Sequence, residues 1–216
     1  MSLEGNDGSG KSTLALSLAK ALSERGKAVY STREPGGTEL GESIRDLLLS
    51  FKYLNMSSKA EMLLYAASRA QHVDEIIRPK IEQGIYVITD RFIDSSLVYQ
   101  GIGIGLGIKD VEMVNMIATS GLLPDLTILL AIDYAQASER LAKKTTEEAI
   151  CLDRIESRGQ GYFELVNKGY ERISEIYADR VVVFDGAMTC DFITSRVMEI
   201  IEQIETLENN REERII

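Results

Sequence analysis

Nine residues near the start, Gly5-Asn6-Asp7-Gly8-Ser9-Gly10-Lys11-Ser12-Thr13, constrain this chain more than any other stretch. Gly5, Gly10, Lys11 and Ser12 fit the spacing Gly-x4-Gly-Lys-Ser/Thr, which needs a strand before it and a helix after it. Both are foreshadowed: Leu3 and Glu4 end a short segment, and Leu14, Leu18 and Leu22 then recur on one helical face. A loop of this kind wraps a polyphosphate, because its backbone N–H groups and the helix N-terminus point positive dipole ends at an anion. Glycines let the chain approach closely. Lys11 adds a point charge for the outer phosphates, and the Ser12 hydroxyl is a ligand for Mg²⁺. All nine residues are candidates for contact with that polyphosphate.

Composition narrows the class. The chain has 216 residues, 44% of them hydrophobic, enough for one compact domain over 1–216 and too few for two ordinary ones. With 34 acidic against 24 basic residues, the net charge is −10. A general affinity for nucleic acid or an anionic membrane is excluded, because phosphate neutralisation needs a basic face. Cys151, Cys190 and His72 lack metal-ligand spacing, so a His/Cys metal site is excluded too. There is no signal peptide and no apolar run of about 18 residues, so the expected location is the cytoplasm. Only four residues precede Gly5, short of the usual five or six or so of a strand. Either Met1-Ser2-Leu3 is an added leader or some native residues are missing.

Helical and strand-like patterns alternate, which predicts an α/β domain with a parallel sheet and helices on both faces. Helices are expected over 11–24 (stopped by Gly26), 39–49 and 59–83, the last kinked or broken at Pro79. Further helices are expected over 111–118, 135–143, 162–177 and 191–207. Strands are expected at 28–31, 85–89, 126–132 and 181–184. Gly101–Gly107 alternates glycine with Ile or Leu and reads as a flexible loop. Residues 143–161 mix Lys143, Lys144, Arg154 and Arg158 with acids. They form either a solvated charged helix or loop, or a mobile cover over the phosphates. The tail over 208–216 is charged and expected to fray.

Three further segments follow expected strand ends or lie on the long helix: Thr32-Arg33-Glu34-Pro35-Gly36-Gly37-Thr38, Tyr65-Ala66-Ala67-Ser68-Arg69, and Asp90-Arg91-Phe92 with Ser95-Ser96-Leu97-Val98-Tyr99-Gln100-Gly101. Ligands of α/β sheets bind at the carboxyl ends of strands, so these segments converge on the phosphate loop. Arg33, Arg45, Arg69 and Arg91 are then candidates for holding a second, dianionic phosphate.

Together with Asp153-Arg154-Ile155-Glu156, this set closely resembles the thymidylate kinases of bacterial type, in the right order from Leu3 to about Tyr177. The resemblance implies a P-loop kinase fold with a mobile lid over about 143–161, a homodimer, and transfer of phosphate from ATP to dTMP with Mg²⁺. It implies ATP contacts over Gly5–Thr13. It places Tyr65 on the thymine ring, Arg69 at the base edge and phosphate region, Ser96 and Gln100 on the pyrimidine, and Tyr99 against the 2′ position. Asp7 falls on the acceptor's 3′-hydroxyl, while Glu34, Arg45 and Arg91 join the dTMP site. Asp90 suits a water-mediated hold on Mg²⁺ beside Ser12. One branch of the family carries a catalytic arginine where this chain has Gly8; the other takes its charge from the lid. Gly8 assigns this chain to the lid branch, with Lys143, Lys144 and Arg154 as expected catalytic cations and Arg140 as an alternative. The lid departs from its relatives, which usually show arginines where this chain has Lys143 and Lys144.

Overall fold

The computed structural model describes residues 1–148 and 154–212, without the side chains of 144–148, 156 and 208–212. Five parallel strands form one sheet in the order β2-β3-β1-β4-β5: β1 Ser2–Glu4, β2 Val29–Arg33, β3 Tyr86–Asp90, β4 Thr127–Ala131 and β5 Val181–Asp185. The short β1 is central, with Ser2 opposite Thr89 on one side and Thr127 on the other. Because side chains alternate along a strand, Ile128 and Leu130 face one layer and Leu129 the other. The first layer is α1 (Lys11–Glu24) with α9 (Cys190–Glu212), where Leu14, Leu18, Leu22, Ile193 and Val197 pack against Leu3. In the second, Val166, Tyr170 and Ile173 of α8 (Gly159–Ile176) meet Leu97, Val98 and Val111. Covering both faces is what allows β4 to be an unbroken apolar run.

Around that core lie α2 (Glu39–Leu49), α3 (Ser58–His72), α4 (Arg78–Glu82), α5 (Ile93–Ser96), α6 (Ile108–Thr119) and α7 (Tyr134–Glu148). Two expectations change. The long helix over 59–83 does not break at Pro79. It widens into a π-helical turn over Val73–Ile77, and Pro79 then sits in the first turn of α4, where its missing N–H costs nothing. Gly101–Gly107 is not a free loop: Leu97–Gly103 is a second π-helical stretch, and Gly101 is buried against Ile108. The expected lid is helical at both described ends, in α7 and α8, with a single turn at Glu156–Arg158. Cys151 and Asp153 lie outside the described residues. Within the expected frayed tail, α9 continues to Glu212.

Candidate active site

The loop between β1 and α1 owes its shape to two close approaches. Gly5 has φ +133°, and a Cβ there would stand 2.5 Å from the Leu130 carbonyl oxygen. Gly8 has φ +81°, and a Cβ there would meet the Ala137 carbonyl of α7 at 2.7 Å. An arginine at position 8 is therefore excluded by packing as well as by backbone conformation. Among the described residues no side chain caps α1, and no acidic residue occupies its first turn, so its N–H groups face the loop. Lys11 is only 6% exposed, and its ammonium folds back to donate to the carbonyls of Gly5 and Asn6, both at 3.0 Å. Burial lowers its pKa. Ser12 Oγ donates to Asp90 Oδ2 at 3.0 Å. Ser9 Oγ is buried without a partner among the described residues, and Thr13 is exposed on α1.

Arg91 follows β3 and reaches across to this loop. Its Nη2 donates to Asp7 Oδ1 at 2.9 Å, its Nη1 to Ser95 Oγ and Tyr170 Oη at 3.2 Å each, and its plane lies 5.1 Å from the Tyr99 ring centre. Burial works to raise the Asp7 pKa, but Arg91 and Lys11 outweigh it and hold the carboxyl at about 2. Behind Ser95 and Tyr170 stands Glu4, fully buried at the end of β1. Its carboxylate accepts from Phe92 N at 2.8 Å, Ser95 Oγ at 2.5 Å and Tyr170 Oη at 3.1 Å. Burial and the nearby Asp94 push it up to about 7. With both hydroxyl protons turned to Glu4, the oxygens of Ser95 and Tyr170 present lone pairs to Arg91.

A cavity of about 110 Å³ opens beside Arg91, and Asp7, Glu34, Arg45, Tyr65, Arg69, Ser96, Tyr99 and Gln100 all line it. The family-derived acceptor set is thus drawn to one place by α2, α3, α5 with the π-helical stretch that follows it, and the loops after β1 and β2. Within it, Arg69 has a second occupation. It is 2% exposed and donates to Glu34 Oε2 at 2.7 Å, Ser96 Oγ at 3.0 Å, Asn115 Oδ1 at 2.5 Å and the Phe92 carbonyl at 3.0 Å. Glu34 also contacts His72 Nδ1 at 3.1 Å, while Arg45 donates to the Pro35 carbonyl at 3.0 Å. Arg33 turns outward to Glu42.

The family model described as Thymidylate kinase matches residues 3–196. The thymidylate kinase of Thermosipho melanesiensis is 45% identical over 202 residues, covering 94% of this chain and 96% of that protein. That of Exiguobacterium sp. is 42% identical over 199 residues, 92% of each. The crystal structure of thymidylate kinase from Ehrlichia chaffeensis superposes with a TM-score of 0.73 at 30% identity, covering 93% of this chain and 96% of that one. This chain belongs to the thymidylate kinase family.

Against that family identity, the expected lid cations separate. Arg140, on α7, donates to the Gly8 carbonyl at 3.3 Å and to the Gly186 carbonyl at 2.9 Å, so it stands at the phosphate loop. Lys143 is exposed and paired with Glu139 at 2.7 Å. Arg154 is buried away from the loop, bound to the Leu48 carbonyl and to Glu61 at 2.8 Å each. The side chain of Lys144 lies outside the described residues. Sequence reasoning missed Glu4, Glu61, Asn115 and Tyr170. Only Glu4 left a trace, as the last residue of the short segment expected before the phosphate loop. A second space of about 520 Å³, between α7 and α8, shares Asp7, Tyr99 and Ile155 with the acceptor cavity.

Proposed function

We propose that this thymidylate kinase family member transfers the γ-phosphoryl group of ATP directly to dTMP, giving ADP and dTDP for dTTP synthesis. The observation that carries this reading is Arg91. Its guanidinium spans from the phosphate loop, through Asp7, to the rim of the acceptor cavity. No covalent intermediate is required: catalysis is positioning plus charge stabilisation of an in-line transfer. The loop amides and Lys11 receive the donor phosphates. Arg91 and Arg45 receive the acceptor phosphate. Tyr65 lies along the base, Ser96 and Gln100 read its edge, and Tyr99 fills the space a 2′-hydroxyl would need. Asp7, ionised throughout the physiological range, accepts from the 3′-hydroxyl. Ser12 and Asp90, two hard oxygen donors 3.0 Å apart, fit Mg²⁺ held together with nucleotide phosphates. When bound, that ion neutralises charge on the β- and γ-phosphates.

The test is ADP release across a panel of monophosphates. dTMP is expected to be the preferred acceptor, exceeding dUMP by roughly 10–200-fold, the span one methyl-sized contact supplies. AMP, GMP or CMP outrunning dTMP sinks the reading.

Arg140 is the cation best placed to supply the charge that Gly8 cannot. Arg140→Ala is expected to lower kcat about tenfold or more, equivalent to at least ~1.4 kcal/mol. Lys143→Ala is expected to change it less than about twofold, since an exposed pair contributes little. The reverse order, at saturating ATP and dTMP, returns the role to Lys143.

A single domain over 1–216 and a homodimer complete the proposal. Leu40 and Leu47 on α2, Leu63 on α3, and Met113, Met116 and Ile117 on α6 are exposed, and these three helices pack side by side. A grouped apolar surface of this kind supports a subunit interface. No described helix is long and apolar enough to cross a membrane; a cytoplasmic location is part of the proposal.

A further inference from the structure

Glu61, on α3, is 1% exposed and lines neither the acceptor cavity nor the space between α7 and α8. Its Oε2 accepts from Arg154 at 2.8 Å and Arg158 at 2.7 Å, and its Oε1 accepts from Gln100 Nε2 at 3.1 Å. Among the described residues, every group that bonds this carboxylate is an N–H donor. Only the –NH₂ end of the Gln100 amide can therefore face it. Rotating that amide by half a turn would set two acceptor oxygens against each other in a buried site. The Gln100 Oε1 end is turned away from Glu61. It makes no hydrogen bond among the described residues, and Gln100 lines the acceptor cavity with Tyr65, Arg69 and Ser96.

We propose that Glu61 fixes the polarity of the Gln100 amide and thereby makes the cavity selective for a pyrimidine carrying a proton at N3. It is a positioning residue, acting through Gln100. Thymine and uracil offer an N3–H donor to a carbonyl oxygen at that point. Cytosine offers an N3 lone pair, leaving two acceptors opposed. A site built to hydrogen-bond a given group rejects an analogue lacking it far more strongly than a site that only senses size. This role rests on the proposed dTMP kinase reading.

The test compares kcat/KM for dTMP and for 5-methyl-dCMP, which differ only at the N3 and C4 edge, in the unaltered chain and in Glu61→Gln. Position 61 then offers both a donor and an acceptor, so the Gln100 amide is free to turn. The unaltered chain is expected to prefer dTMP by about a hundredfold or more, and Glu61→Gln to narrow that ratio at least tenfold. Circular dichroism and thermal melting establish that the variant is folded. If two arginines around a neutral residue prevent folding, the double variant Glu61→Gln/Arg158→Gln removes one of the uncompensated charges and carries the same readout. A carboxylate that merely anchors Arg154 and Arg158 would move stability and leave the ratio alone. A ratio within about threefold of the unaltered value overturns the role, as does an unaltered chain that uses both acceptors equally. No turnover of dTMP by the unaltered chain overturns the proposed function and this role with it; dTMP turnover with an unmoved ratio overturns this role alone.

Discussion

Lys11→Ala is expected to lower kcat by at least about a hundredfold, the loss typical of removing one preorganised donor to developing charge. The ammonium is anchored by the Gly5 and Asn6 carbonyls and stands 3.8 Å from Asp7. It is therefore already held inside the loop that receives the phosphates, and little reorganisation is left for the reaction itself. Charge that matters most as the phosphoryl group transfers appears in kcat more than in dTMP affinity. The fold should survive. Asp7 keeps Arg91 as a partner, and Asn6 lines the space between α7 and α8. Steady-state ADP release and thermal melting check both halves. Near-normal turnover by the folded variant would show that phosphate transfer happens elsewhere.

Arg69→Met should cost about 3–5 kcal/mol of stability, the penalty for breaking a buried ion pair from one side. Four bonds are lost at once, and Glu34 is left buried with the His72 ring as its remaining side-chain hydrogen-bond partner. At about 2–4 °C per kcal/mol for a chain near 200 residues, the melting temperature should fall by about 6–20 °C. The result separates two views of this residue. If Arg69 chiefly binds the acceptor, as the family resemblance implies, the variant would melt within about 2 °C of the original and lose only dTMP affinity. If it chiefly ties α3 to α5 and α6, the melting curve moves first. Chemical denaturation gives the same free energy independently.

How far sequence alone reached can be seen in individual elements. α1 and α2 run over Lys11–Glu24 and Glu39–Leu49, as periodicity and stop signals predict. Their ends are set locally: Gly26 follows α1 in a left-handed conformation, and the Thr38 hydroxyl accepts from Gly41 N. The π-helical turns at Val73–Ile77 and Leu97–Gly103 escape such reading, because one extra residue per turn leaves no mark on composition. In the site, Ser12 with Asp90 and Asp7 with Arg91 meet because the loop and helix start after β1 lie beside the carboxyl end of the adjacent β3. Glu61 gave no such signal. Its partners Gln100, Arg154 and Arg158 are 39 to 97 residues away, and an acid on an amphipathic helix ordinarily faces water. The expected lid cations show the same limit: counting charges over 143–161 cannot tell that Arg154 turns to α3 while Arg140, just before that span, turns to the phosphate loop.

Arg91 sits at φ +69°, a left-handed conformation that costs a side-chain-bearing residue about 1–2 kcal/mol and glycine almost nothing. That strain is retained at the residue whose guanidinium joins the two halves of the cleft. The backbone here and the chemistry here prefer different amino acids. Selection for heat resistance alone, applied to a library at position 91, gains from relaxing the backbone but loses the bonds to Asp7, Ser95 and Tyr170 and the contact with Tyr99, so two contributions of opposite sign are set against each other. Thermal robustness then reports only the difference between the two, and a melting curve alone does not reveal whether the cleft has kept its bridging charge.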